Sequence, residues 1–457
     1  MTDLQPLVNK TVEFAYRGAR LGFDLSHALF SSYAIDTGTR FLLKEIAHDE
    51  TITGASAILD AGCGVGIIGI SLAVSCPQAK VVMRDRDILA CAFSERNCWK
   101  NGIPVQRLGL DDAATEPIAK KPPKHKNNEE RRNAVIVAPG LLGEDDPLGP
   151  FDAVVSNLPA KAGPVILSQF VEACAGKLLN PGGRLAFVIV NTLAGLADSW
   201  CASSGMIPVR KTAGKGHSVF ILEKPASPSA SAHTPASAET YVPDTHDASA
   251  ARTDPFFEQR RVSAIRYRRS SATRKLGRYP VPACGFWGLP EFDTTGFATE
   301  MAMEALEKAC AGSLVRDLLI SEPGIGLPAL WACKALGPAR IHALSRDLLS
   351  LLATRANIDA LSSPHPDYFP LQSIDGDGIG DILFDAILWF PDEVPEYDFI
   401  APAWEFLHRT AKKGAAIVIV STSTTTTRFE KTKPSGIQRL GEKKKKGFSA
   451  LMFRRVD

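Results

Sequence analysis

The sequence predicts an α/β chain in which one unit, an open parallel sheet flanked by helices, occurs twice. Two observations predict it: a glycine-rich turn between a strand and a helix near residue 60, and a set of segments after residue 255 that follows the first set in the same order. In the turn, Ile58-Leu59-Asp60-Ala61-Gly62-Cys63-Gly64-Val65-Gly66-Ile67-Ile68-Gly69, an apolar strand ends near an acid and runs through four glycines into an apolar helix. Glycines at this spacing permit a tight turn and bring backbone close to a ligand, with the N–H groups of the next helix facing it. Val81-Val82-Met83-Arg84-Asp85 follows as a second strand, ending in an acid at about the spacing expected for a ribose hydroxyl partner. Together they read as a nucleotide cradle, suited to NAD or to S-adenosylmethionine. Cys63 inside the turn reads as a small packing residue rather than a nucleophile.

Downstream, Phe151 to Val155 is a buried strand that runs into Ser156-Asn157-Leu158-Pro159-Ala160-Lys161-Ala162-Gly163, a polar loop stiffened by proline. In an open parallel sheet such a loop lies at the carboxyl edge beside the first turn, where ligands bind. An asparagine held there can accept hydrogen bonds from an exocyclic amine and aim its nitrogen at a methyl donor. Asn157 to Gly163 resembles the Asn-Pro-Pro-x-Arg-Ala-Gly loop of the small-domain class I methyltransferases, the group containing bacterial rRNA guanine-N2 methyltransferases. Leu29-Phe30-Ser31-Ser32-Tyr33-Ala34-Ile35-Asp36-Thr37-Gly38-Thr39 and the following Arg40 to Leu43 are similar to that family's segment closing over the methionine end of the cofactor. Pro181-Gly182-Gly183 and Gly216 to Leu222 are also as in the family, so the resemblance covers nearly all of residues 1–223. Leu158 replaces the family's first proline, and Ala160 offers no ring for stacking a base.

The resemblance implies a Rossmann-like class I methyltransferase domain that binds S-adenosyl-L-methionine and methylates a guanine amine in ribosomal RNA. It assigns Asp36, Gly38, Thr39, Asp60, Gly62, Cys63, Gly64, Gly66, Asp85 and Asn157 to the cofactor. Asn157, with the Leu158 carbonyl and Pro159, is assigned to the acceptor. For the strand after Asp85 two segments compete, Val105 to Asp112 and Ala134 to Val137. The first is preferred, which puts Asp111 near the adenine amine and makes roughly 113–149 an insertion.

The chain has 457 residues, too many for one core, and 45% of them are apolar. Lys and Arg total 52 against 50 Asp and Glu, so nucleic-acid affinity must come from local patches. Nine cysteines without a metal-ligand spacing argue against zinc and for a reducing, cytoplasmic setting. Met1 to Lys10 lacks a signal pattern, and no apolar run is long enough to span a membrane. From Lys224 to Pro255 hardly an aliphatic residue occurs, so 224–255 is expected to be a disordered linker.

After the linker the order of segments repeats. Glu322 to Pro328 is aligned with Asp60 to Gly66, Ala339 to Asp347 with Ala79 to Asp87, Phe384 to Leu388 with Phe151 to Val155, and Gly447 to Leu451 with Gly216 to Phe220. The expectation is therefore two tandem domains from internal duplication, 1–223 catalytic and 256–457 degenerate. In the second copy Pro328 is expected at the place of Gly66, Ser345 at that of Asp85 and Trp389 at that of Asn157. Arg266, Arg268, Arg269 and Lys443 to Lys446 supply a candidate RNA-gripping face, with ribosomal RNA or the small ribosomal subunit as partner. Two other readings remain open: methylation of a protein amide or a small molecule, and a non-catalytic RNA-binding assembly protein.

Overall fold

The computed structural model describes residues 3–30, 32–107, 134–226, 260, 263–362 and 364–457. The chain builds two sheets, each preceded by a two-stranded hairpin. In the first half the hairpin is β1 (Lys10–Tyr16) with β2 (Ala19–Leu25), reversed at Arg17-Gly18, where both φ angles are positive. The sheet strands are β3 (Ala57–Ala61), β4 (Lys80–Asp85), β5 (Val105–Arg107), β6 (Val135–Pro139), β7 (Phe151–Asn157), β8 (Leu179–Val190), β9 (Ile207–Ala213) and β10 (His217–Glu223). They lie in the order β5-β6-β4-β3-β7-β8-β10-β9, parallel from β5 to β8 with β10 and β9 antiparallel.

In the second half β11 (Arg268–Leu276) and β12 (Tyr279–Phe286) form the hairpin. The strands β13 (Asp317–Ser321), β14 (Arg340–Ser345), β15 (Asp367–Gln372), β16 (Phe384–Trp389), β17 (Ala411–Thr422), β18 (Ile437–Lys445) and β19 (Phe448–Arg455) lie as β15-β14-β13-β16-β17-β19-β18. Apart from the extra edge strand β5, the two orders coincide. Both folds are mixed α/β with parallel-rich sheets. Central strands such as β3, β7 and β13 are almost continuously apolar and buried because helices cover both sheet faces.

The position beside β4 corrects the sequence expectation. β6 occupies it, pairing Val82 with Ile136 and Asp85 with Pro139, while Val105–Arg107 is relegated to the edge. Val135–Pro139 is buried at every position and suits an interior strand, whereas Val105–Arg107 is half-buried and carries the polar Gln106 and Arg107. Residues 135–139 are therefore sheet, not insertion. Asp111 and the basic stretch around Lys120 lie outside the described residues, as does most of the linker expected at 224–255.

The strand order reverses at β3: β4 lies on one side of it and β7 on the other, both parallel to it. In open α/β sheets the crevice at such a switch point, outside the carboxyl ends of the strands, is where ligands bind. The carboxyl ends here are Ala61, Asp85 and Asn157. The cores of the two halves also interlock. Leu141 and Ile166 of the first half belong to the apolar cluster under the second sheet, and Val394 of the second half to the cluster under the first.

Candidate functional site

The glycine turn is shaped by backbone conformation. Gly62, Gly64 and Gly66 have φ of +75°, +56° and +87°, a region that favours glycine. Gly66 caps the helix Ile67–Ser75, and a Cβ on it would come within 3.2 Å of Ser94 Cα. Ser94 Oγ donates to the Gly64 carbonyl at 2.9 Å and Asn97 Nδ2 to that of Val65 at 2.9 Å, so the helix Ile88–Lys100 fastens the turn from outside.

Asp60 lies beneath the turn, wholly buried. Its Oδ2 accepts the Gly69 N–H at 2.7 Å, while Oδ1 has no partner. Burial pushes the carboxyl up to about 7. Asp85, at the end of β4, accepts the N–H of Gly64 at 3.0 Å on Oδ2 and that of Asp87 at 2.9 Å on Oδ1. Burial raises its pKa as well. A carboxylate has about four acceptor directions, so two remain for hydroxyl donors. Cys63 is buried, 3.4 Å from Ser94 Oγ, and burial raises its thiol far above the range of a nucleophile.

The acceptor side joins residues far apart in sequence. Asp36 caps the helix Thr37–Ile46 by accepting the Thr39 N–H at 3.1 Å. Asn157 Nδ2 donates to Asp36 Oδ2 at 3.0 Å and to Thr39 Oγ1 at 2.9 Å. Both amide hydrogens are thus engaged, which assigns the amide orientation and leaves Oδ1 its acceptor capacity. Leu158 is buried, and its N–H donates to the Val188 carbonyl at 3.0 Å; Pro159 precedes the short turn Ala160–Ala162. Gly38 packs against His217, where a Cβ would meet the imidazole carbon at 2.9 Å. Phe30 and Tyr33, six and three residues before Asp36, are 73% and 66% exposed, and His27 sits edge-on to Tyr33 at 5.0 Å.

The second half repeats the scaffold and lacks these groups, with two corrections to the expected alignment. Gly326, with φ of +87°, caps the helix Leu327–Ala335 as Gly66 caps its own, and Ser350 and Asn357 bond Gly324 and Ile325 as Ser94 and Asn97 bond Gly64 and Val65. Gly326, not Pro328, therefore stands at the place of Gly66, and Glu322 at that of Gly62. Likewise Trp389 pairs with Ile419 as Ser156 pairs with Phe187, which puts Phe390 rather than Trp389 at the place of Asn157. Ser345 stands at the Asp85 position, as aligned. The helix Phe297–Ala309 starts from Gly296 with no side-chain cap, so Asp36 has no counterpart there.

The basic face is less free than its composition suggested. Lys443 pairs with Glu304, Lys444 with Glu442 at 3.2 Å and Lys445 with Glu300 at 3.5 Å. Arg269 is stacked between Trp287 and Phe292 and pairs with Asp293 at 3.1 Å, and Arg266 donates to the Gly143 carbonyl at 3.0 Å. Among the described residues there is no group of three or more His, Cys, Asp or Glu able to hold a metal, and no helix long and apolar enough to cross a membrane.

Residues 20–138 match the family model of the methyltransferase small domain. Over that stretch the first half is similar to the methyltransferase small domain. Curated relatives include the ribosomal RNA small subunit methyltransferase C of Mannheimia succiniciproducens, 33% identical over 128 residues that make up 26% of this chain and 37% of that protein. The uncharacterized protein YbxB of Bacillus subtilis is 27% identical over 39% of this chain and 74% of its own length. The chain spans less than half the length of the curated rRNA methyltransferases it matches. Among solved structures, the T. thermophilus 16S rRNA N2 G1207 methyltransferase in complex with AdoMet and guanosine aligns over 99% of both chains at a TM-score of 0.60 and 17% identity. At that identity the match establishes a shared fold across both halves.

Sequence reasoning missed Arg86, Asp87 and Arg346, which lie directly behind the site. The one available signal was the recurrence of Arg-Asp after each second strand, at 86–87 and 346–347.

Proposed function

We propose that residues 1–223 form an S-adenosylmethionine-dependent N-methyltransferase acting on a guanine exocyclic amine in ribosomal RNA, and that residues 256–457 are a degenerate duplicate of the same domain, joined by a linker over 224–255. The observation carrying this reading is the pinned amide of Asn157. With Nδ2 committed to Asp36 and Thr39, Oδ1 is presented as an acceptor at the carboxyl edge of the sheet, beside the glycine turn.

The cradle fits the cofactor: Asp85 keeps acceptor capacity for ribose hydroxyls, the turn exposes backbone at positive-φ glycines, and Asp60 holds a buried oxygen without a partner for a cationic donor. When bound, S-adenosylmethionine supplies an electrophilic methyl group on a sulfonium. The residues of the chain do the rest by orientation. Asn157 Oδ1 and the Leu158 carbonyl accept the two N–H bonds of the acceptor amine, aim its lone pair, and stabilise the positive charge that grows on nitrogen. Holding the reactants in line is worth on the order of 7–11 kcal/mol, so no strong general base is required. Phe30 and Tyr33 offer exposed rings on which an unstacked base can lie, in the role that Ala160 cannot fill.

In the second half Ser345, Phe390 and Gly296 replace Asp85, Asn157 and Asp36, which removes the charge, the amide acceptor and its support. A protein amide or small-molecule acceptor is favoured by the ion-paired state of Lys443 to Lys445 and by Ala160. The deciding experiment incubates the full chain and methyl-labelled cofactor with small ribosomal subunits from cells lacking the protein. Label is expected in N2-methylguanosine. Label found only in protein, or none, overturns the RNA reading.

A further inference from the structure

The two halves meet through a reciprocal clasp placed directly after the strand that carries Asp85. Residues Asp87 and Asp347 face each other in an antiparallel bridge. Ile88 N–H donates to the Arg346 carbonyl at 3.1 Å and Leu348 N–H to the Arg86 carbonyl at 3.0 Å. The side chains cross over it. Arg86 pairs with Asp347 at 3.0 Å and Arg346 with Asp87 at 3.1 Å, while Gln372 Nε2 donates to both arginine carbonyls at 2.8 and 2.9 Å. Its two ends lead to different places. On the side of Asp347 the chain leads back to Ser345, whose Oγ donates to Glu322 at 2.8 Å. On the side of Asp87 it leads to Asp85, because the Asp87 N–H is the donor on Asp85 Oδ1. Arg346 further donates to the Ala28 carbonyl at 3.4 Å, at the start of the segment that carries Phe30, Tyr33 and Asp36.

We infer that Arg346, in the half lacking the cofactor groups, is a positioning residue for the cofactor acid Asp85, acting through Asp87. The Asp85 carboxylate is held from one side by Gly64 and from the other by the Asp87 amide. The turn bearing that amide is anchored by its own helix cap, Asp87 accepting the Leu89 N–H at 2.9 Å, and by the second half. Removing the guanidinium leaves the half-buried Asp87 carboxylate without its counter-charge and loosens the turn on the side that orients Asp85. The second half thus completes the first site from behind without touching the ligand.

This inference rests on the cofactor reading, and the test separates the two. In the full chain, Arg346→Met and Arg346→Lys are compared with Arg340→Met, which breaks a second-half ion pair with Asp317 away from the clasp. Arg346→Met is expected to raise the Kd and KM for S-adenosylmethionine about tenfold, the loss of one charge-assisted bond. The kcat and the KM for the acceptor should change less than about twofold, Arg346→Lys should recover most of the affinity, and Arg340→Met should change nothing. Amide hydrogen exchange of the cofactor-free proteins is measured alongside, with faster exchange expected at Gly64 and Asp87 in Arg346→Met. A wild-type chain that does not bind the cofactor overturns the functional reading, and the exchange data then decide the clasp alone. Unchanged exchange at Gly64 and Asp87, or equal losses in Arg340→Met, overturns the inference. If Arg346→Met does not fold, Arg346→Gln carries the same comparison, since a neutral amide removes the counter-charge of Asp87 while keeping a polar side chain of similar reach.

Discussion

Asp60→Asn separates the two duties of the most deeply buried acid of the site. Its Oδ2 holds the Gly69 N–H at 2.7 Å, a bond that the asparagine carbonyl can keep, while Oδ1 has no partner. Burial pushes this carboxyl up to about 7, whereas in the unfolded chain it titrates near about 4. The folded state therefore binds the proton more tightly. The resulting stability is fully present below about pH 4 and is lost as the pH rises through about 7. Three pKa units correspond to an upper bound of about 4 kcal/mol. Asparagine removes this loss but leaves an unpaired buried amide, costing about 1–3 kcal/mol. Urea unfolding at pH 5 and pH 8 should thus show the variant equal or weaker at the lower pH and about 1–3 kcal/mol firmer at the higher one. Binding should move the other way. If a cationic group of the cofactor seats on Oδ1, wild-type affinity should rise about tenfold per pH unit up to about pH 7 and then level off, since the carboxyl must first release its proton. Asparagine should bind more weakly at pH 8 and without that slope. A stability difference constant across the pH range, or a cofactor affinity that does not depend on pH in the wild type, refutes the reasoning.

The remaining predictions concern the division between cofactor and acceptor. Asp85→Ala should weaken cofactor binding by about 1.5–3 kcal/mol in calorimetric titration, since it removes a charged acceptor for hydroxyls. Asn157→Ala should leave cofactor affinity within about twofold and lower kcat about 10²–10³-fold, the size of effect seen when one oriented polar group is taken from a developing charge; lost cofactor affinity in a folded protein would reverse the assignment. Phe30→Ser and Tyr33→Ser should each raise the KM for RNA by about 1–3 kcal/mol per lost stacking contact, with no change in cofactor Kd, measured by filter binding and initial rates.

How much of this was legible in the sequence depended on the range of the signal. The turn at Asp60 to Gly69 and the strand ending in Asp85 are local patterns, and they lie where the glycine spacing placed them. The repeat was visible as an order of segments, yet its register slipped by two residues at Glu322. The acid-x-glycine pattern of Glu322-Pro323-Gly324 imitates Asp60-Ala61-Gly62, whereas the true equivalence is set by the +87° φ shared by Gly66 and Gly326. The strand Val135–Pro139 was passed over because the position of the paired strand in the other copy pointed to an earlier segment, although its unbroken apolar run was the better guide. The Asp36–Thr39–Asn157 contact spans about 120 residues, and nothing in the spacing of either segment foretells it.

Glu322 shows how the second half folds without the groups proposed to hold the cofactor in the first. It occupies the place of Gly62 with φ of +45°, a conformation costing a non-glycine residue of order 1 kcal/mol, and its carboxylate reaches across to Ser345 Oγ at 2.8 Å and the Arg346 N–H at 3.3 Å. An internal carboxylate thus spans the gap between turn and strand that Asp85 spans from the opposite side in the first half. Burial pushes Glu322 up to about 7, and the bond from Ser345 opposes that rise. The turn of the second half is closed by its own side chain and holds the Arg346 backbone in place whether or not a ligand is bound. The first half leaves Asp60 Oδ1 and part of Asp85 uncommitted. A closed half set against an open one is a scaffold of constant shape, and under the inference above the clasp through Arg346 conveys that constancy to Asp85, the acid proposed to meet the cofactor.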